Sequence, residues 1–185
     1  MTALCRKNQF QRGGSLIEVL VAVLLLSLGM LSLGISLSFA VQMPKLSGYR
    51  ATAINVAASH VERIRANPGG FFHDAYRTAL SYDGTSNDIA LSNCSYPSCT
   101  EASLANMDNA ASQRAARVLL PAGGMLVTCD SAPCGSNSYG NLWIVWQEPG
   151  NRGVLNAANS DNCPGQVTTT FVNPMPRCLY VRFKI

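Results

Sequence analysis

The chain has 185 residues, a formal net charge of +4 and only 13% charged residues against 48% hydrophobic. That length allows one modest domain beside any leader or anchor, and nothing in the composition argues for the clustered basic face usual in a nucleic-acid partner, a local patch apart. The charge is also unevenly placed. Arg6, Lys7 and Arg12 lie within residues 1–13 with no acid among them, so the remainder carries +1.

The first element is a long apolar run. It begins Gly13-Gly14-Ser15-Leu16-Ile17-Glu18-Val19-Leu20-Val21-Ala22-Val23 and stays apolar as far as Val41, with no Asp, Glu, Lys or Arg from Val19 to Met43. About 23 residues at ~1.5 Å rise give roughly 34 Å of helix, enough to cross the hydrocarbon core of a bilayer. A secretory signal has a shorter apolar region that ends, rather than begins, at a small-residue site. The basic residues before the span place the N-terminus in the cytoplasm and the rest outside. Glu18 is the exception in this run. A carboxylate at the head of a membrane segment is costly, so it needs a partner or a function.

These residues resemble the processing site of type IV prepilins and pseudopilins. In that family a short basic leader is cut after a glycine, the new N-terminus is methylated, and a glutamate stands fifth in the mature chain. Cleavage between Gly13 and Gly14 puts Glu18 fifth, whereas cleavage after Gly14 would put it fourth. The departure is Gly14 itself, where the family usually has Phe. The resemblance implies N-methylation of Gly14. It also implies a role for Glu18 in meeting the charged N-terminus of a neighbouring subunit, where an ion pair in a low-dielectric bundle enforces register more than it adds stability.

Gly29, Gly34 and the serines Ser27, Ser32, Ser36 and Ser38 soften the apolar helix, as small residues do where membrane helices approach closely. Pro44 is expected to interrupt or kink it. Beyond it, Ile54, Ala57, Ala58, Val61 and Ile64 follow helical spacing, with Arg50, Glu62, Arg63 and Arg65 on other faces. Asn67-Pro68-Gly69-Gly70 is a stop signal. The stretch Val61-Glu62-Arg63-Ile64-Arg65-Ala66-Asn67-Pro68 looks like the corresponding part of PilV-type minor pilins.

Residues 71–99 lack periodicity and read as an ordered loop. Leu104, Met107, Ala111, Ala115 and Val118 predict a helix from about Thr100 to Leu119, with Thr100 as its cap. It stops at Leu120-Pro121-Ala122-Gly123-Gly124, a second step that resembles the PilV pattern. Four strands are expected at Met125–Cys129, Leu142–Gln147, Val167–Val172 and Leu179–Lys184, with turn chemistry from Glu148 to Gly153. The fold class is therefore α+β, pilin-like: a long N-terminal helix packed on an antiparallel sheet. The expected divisions are a leader at 1–13, a membrane and filament-core helix at 14–43, its amphipathic half at 44–67, and a head at 68–185.

Six of the seven cysteines lie outside the leader, in a compartment that permits disulfides. Six allow 15 connectivities. Pairing of neighbours is the expectation: Cys94 with Cys99, Cys129 with Cys134, Cys163 with Cys178. Zinc ligation by the C-x4-C pairs is the weaker alternative, and the C-x-x-C of a redox site is absent.

Catalysis finds little footing. His60 and His73 read as structural or solvated, because no nucleophile or carboxylate motif accompanies either. Glu62 and its arginines read as a solvated face with helix ion pairs. Trp143 and Trp146, three apart in a strand, point to opposite faces, so one is core and the other is free for a contact. No catalytic residue, metal or cofactor is expected.

The reading is a minor type IV pilin of the PilV kind, non-enzymatic, which primes or modifies filament assembly. Its partners by resemblance are prepilin peptidase, other minor pilins, the major pilin and an inner-membrane assembly platform, with no nucleic acid expected. It would sit in the inner membrane with its head in the periplasm, and later in the pilus at the cell surface. A type II secretion pseudopilin shares the N-terminal motif. A tip adhesin or DNA-uptake subunit would need a basic or aromatic patch on the head.

Overall fold

A computed structural model describes residues 15–148, 161–172 and 175–185. The elements run α1 (Leu16–Ala66), α2 (Pro68–Phe72), α3 (Glu101–Leu119), β1 (Gly124–Cys129), β2 (Gly140–Trp146), α4 (Gly165–Thr170) and β3 (Arg177–Phe183). A long N-terminal helix and a three-stranded antiparallel sheet make the chain α+β with a pilin-like arrangement. Contacts divide it into two compact units, one ending at Lys45 and one running from Leu46 to Ile185, so the boundary falls inside α1.

The first unit is the apolar part of α1. Its side chains from Leu16 to Val41 are exposed throughout. Its serines return their hydroxyls to the helix: Ser27 donates to the Leu24 carbonyl at 2.8 Å, Ser32 to Gly29 at 2.8 Å and Ser36 to Ser32 at 3.0 Å. A hydroxyl satisfied in this way costs little in lipid, where an unpaired one is expensive. The helix does not end at Pro44, contrary to an interruption there. A proline removes one amide donor from the ladder, and the bonds on either side suffice to carry the helix past it.

The second unit begins with the rest of α1. Its buried stripe is Ala53, Val56, Ala57, His60, Val61 and Ile64, spaced three and four apart, while Ile54 and Ala58 face outward. The expected stripe is thus corrected at two positions. His60 takes a place on the buried face that the spacing of apolar residues alone assigns to its neighbours. After α1 ends, Asn67-Pro68 also starts α2, with Asn67 accepting from the Gly70 amide at 3.3 Å and Pro68 in the first turn, where its missing donor costs nothing. α3 starts where the cap places it, with Thr100 and Ser103 forming a reciprocal capping box.

β2 is the centre of the sheet, paired antiparallel with β1 (Met125 opposite Ile144) and β3 (Ile144 opposite Leu179). Leu142, Ile144 and Trp146 lie on one face, in one buried cluster with Met125 and Val127 of β1, Phe183 of β3, the α1 stripe and Phe71. Each such side chain contributes about 1.5–3 kcal/mol on burial. On the other face Val145 and Cys178 join Tyr82, Ala122 and Val167. Gly140 is required by close approach, since a Cβ there would run into the Phe183 ring.

One expected strand is a helix. Val167–Val172 overlaps α4, whose Thr168 and Thr169 hydroxyls bond back to the Gly165 carbonyl at 3.1 and 2.8 Å. β-branched residues favour strands only where a sheet edge is at hand. Here the Cys163–Cys178 bridge ties the segment to β3, and Val167 is fully buried against the sheet face. The turn expected from Glu148 to Gly153 lies, past Glu148, outside the described residues.

Candidate functional site

The unit that ends at Lys45 carries the first candidate feature. Glu18 stands in the first turn of α1, exposed, with its amide donating to the Ser15 carbonyl at 2.8 Å. An acid there opposes the positive end of the helix dipole. Among the described residues no basic group lies within ion-pair range of it. Gly13 and Gly14 lie outside the described residues. From Leu16 the helix is long and apolar enough to cross a membrane, with none of its apolar part buried. The arrangement is a continuous apolar surface with a single carboxylate at its head, suited to association.

In the second unit, all three bridges are between sequence neighbours: Cys94–Cys99, Cys129–Cys134 and Cys163–Cys178, with Cα separations of 5.3, 5.6 and 5.3 Å. Asp74 lies beside the Cys129–Cys134 pair, close enough for the three to be considered as metal ligands. With both sulfurs in a disulfide, Asp74 alone remains as a donor, and the group does not make a zinc site.

The buried face of α3 is polar, whereas Leu104, Met107, Ala111 and Ala115, whose spacing predicts the helix, are only partly buried and Val118 is exposed. Asp108, Asn109, Ser112 and Arg117 are buried with Ala105 and Ala116, and Val118 is 70% exposed. This face meets loop backbone and a histidine, so it needs hydrogen-bonding groups. Asp108 accepts from the Tyr76 hydroxyl at 2.7 Å and from Arg63 at 3.1 Å. Asn109 donates to the Ala75 carbonyl at 3.3 Å. The Arg117 guanidinium, 3% exposed, binds Asp83, Thr85 and the Ser81 carbonyl, closing the 81–85 loop over the helix end. Arg117 holds the Asp83 carboxyl down at about 2, and burial followed by the Asp108 hydrogen bond pushes the Tyr76 phenol well up.

His60 sits in the same contact, fully buried, with Nδ1 2.9 Å from the Ser112 hydroxyl. Burial drops its pKa to about 4, against the pull of Asp108. The ring is thus neutral at physiological pH, closed off from solvent and bound to a structural serine. That is a core histidine. His73 is exposed and meets Glu101 at 3.3 Å. Glu62 pairs with Arg65 at 2.6 Å on the solvated face.

The sheet face opposite α1 carries aromatic and basic groups. Trp143 stacks on Tyr180 at 5.0 Å between centroids, with its indole N–H donating to the Asn162 carbonyl at 3.0 Å. Arg182 lies 4.1 Å over the Tyr139 ring. Trp146 is the core tryptophan and Trp143 the half-buried one. The acids and arginines of these networks escaped sequence reasoning because each partner is remote in the chain. The one available signal was the polar face of α3 itself.

Residues 39–110 match the family model described as Tt1218-like, type IV pilin Tt1218. The match starts in the apolar half of α1 and ends inside α3. It does not include the Gly13–Glu18 motif, so the two observations are independent. No curated protein and no solved structure matches the chain. The match over residues 39–110, the unbroken N-terminal helix and the antiparallel sheet all agree with the type IV pilin family.

Proposed function

We propose that this chain is a type IV pilin, a minor subunit of the PilV kind and a structural rather than catalytic component that primes or modifies filament assembly. In this reading prepilin peptidase removes residues 1–13 and methylates Gly14. The subunit then waits in the inner membrane with its head in the periplasm and enters the filament through the assembly platform, beside other minor pilins and the major pilin. The observation that carries the reading is the bare apolar helix with Glu18 at its head. A carboxylate four residues from a freed, positively charged amine has a ready partner on a neighbouring copy, and its burial is tolerable only when so paired.

The test is co-purification of the mature protein from its own membranes. Recovery with low-abundance pilins supports the reading, and recovery with a type II secretion complex would replace it with a pseudopilin. A ligand-binding role for the head is the second reading, favoured by the Trp143–Tyr180 stack and by Arg182 over Tyr139. It predicts that Trp143→Ala, Tyr139→Ala and Arg182→Ala abolish adhesion or DNA capture while leaving assembly intact.

A further inference from the structure

An open groove of about 560 Å³ lies at the C-terminal end of α3, lined among others by Tyr49, Asp88, Arg114, Val118, Leu119 and Pro121. Two large aliphatic side chains stand bare at this end of the helix, Val118 at 70% and Leu119 at 55% exposure. They are flanked by cations. Arg114 is half-exposed and pairs with an exposed Asp88 at 3.0 Å, and Arg50, on the turn of α1 that carries Tyr49, reaches Asp161 at 2.9 Å while remaining half-exposed. Arg117 also lines the groove, but its charge is spent on the 81–85 loop.

The place of this groove along the chain says what covers it. The uncharged run continues through Pro44, five residues before Tyr49. A chain advances at most ~3.6 Å per residue, so Tyr49 lies within roughly 20 Å of the end of the run whatever the backbone between them does. That reach takes in the headgroup layer, which adds roughly 5–8 Å on each side of the hydrocarbon. Aliphatic side chains with a tyrosine and arginines around them make up the composition that partitions into such a layer, the apolar part toward the acyl chains and the guanidinium groups beside phosphate.

We propose that this end of the head rests on the bilayer that holds α1, with Val118, Leu119 and Tyr49 in the headgroup layer and Arg114 and Arg50 beside lipid phosphates, while the subunit awaits assembly. The inference rests on the apolar half of α1 being a membrane span. The contact holds the head down at one edge and is given up when the subunit leaves the membrane.

The test reconstitutes the full chain into vesicles of phosphatidylcholine and phosphatidylglycerol, with or without bromine at shallow acyl positions. Single tryptophans are introduced as Leu119→Trp, Val118→Trp, Tyr96→Trp and Leu26→Trp, and the emission of the parent protein is subtracted. Leu119 and Val118 are exposed, so neither substitution disturbs the core. Tyr96, 95% exposed in the Cys94–Cys99 loop, is the control, since that loop leads into the opposite end of α3, whose first residue Glu101 lies roughly 27 Å along the helix from Leu119. Emission lost at residues 26, 118 and 119 but kept at residue 96 is expected. Loss at residue 26 with none at 118 and 119 would overturn the head contact and spare the anchor. No loss at residue 26 would overturn both, and equal loss at residue 96 would overturn the orientation.

Discussion

The His60 imidazole and the Ser112 hydroxyl meet at 2.9 Å inside the contact between α1 and α3. Burial holds His60 at a pKa of about 4, whereas in the unfolded chain it returns to 6.5. The unfolded state therefore takes up a proton first as the pH falls. The stabilising effect of the neutral ring is complete above pH 6.5 and is lost progressively between pH 6.5 and 4, by roughly 3 kcal/mol at 1.36 kcal/mol per unit. Denaturant midpoints measured from pH 7.5 to 4.5 should fall across that window, and a His60→Gln protein should show a much flatter profile. An unchanged slope in the variant would place the titration elsewhere.

Arg117 supports a second prediction. Replacing it by Met leaves the Ser81 and Thr85 carbonyls without their charged donor and frees the 81–85 loop. The expected cost is about 3 kcal/mol, in the range for a charged hydrogen-bonding group removed from buried partners. Asp83, held at about 2 by that guanidinium, should then titrate nearer the ordinary carboxylate range, which carbon-detected NMR can follow.

The bridges should differ in worth. Cys163 and Cys178 are 15 residues apart and Cys129 and Cys134 only 5. On the chain-entropy account the longer loop is worth about 3 kcal/mol and the shorter one less, within the ~2–5 kcal/mol usual for small secreted domains. Thermal midpoints of Cys163→Ser/Cys178→Ser and Cys129→Ser/Cys134→Ser should therefore fall in that order. A larger loss from the shorter loop would show that Asp74, whose carboxylate accepts from the Cys134 amide at 3.3 Å, makes that corner matter more than chain entropy does.

Glu18→Ala should give a protein that is trimmed and held in the membrane yet enters filaments poorly. Incorporation counted by labelled antibody on sheared filaments checks this. Incorporation equal to that of the parent would remove the carboxylate from the assembly step.

What was legible in the sequence follows from what each signal depends on. The uncharged run from Val19 to Met43, the Thr100 cap and the strand Leu142–Trp146 are local patterns, and the helix and strands stand where those patterns put them. Neighbouring cysteines needed only short loops to meet, and they meet. The segment after Gly165 misled because Val167 and its threonines carry β propensity, while a disulfide and one buried valine decide the conformation. The buried face of α3 was hidden for a different reason. Periodicity reports which face of a helix is apolar, but here the neighbours were the 74–85 loop and His60, and they called for Asp108, Ser112 and Arg117. The role proposed for Glu18 was legible only through resemblance, since the partner proposed for it belongs to another chain.

The intact mass of the protein isolated from its native membranes tests the central claim most directly, with a Gly13→Leu variant alongside. A chain that begins at methylated Gly14 is predicted for the parent, and an untrimmed chain for the variant. A parent that retains Met1, in cells whose other pilins are trimmed, would contradict the account.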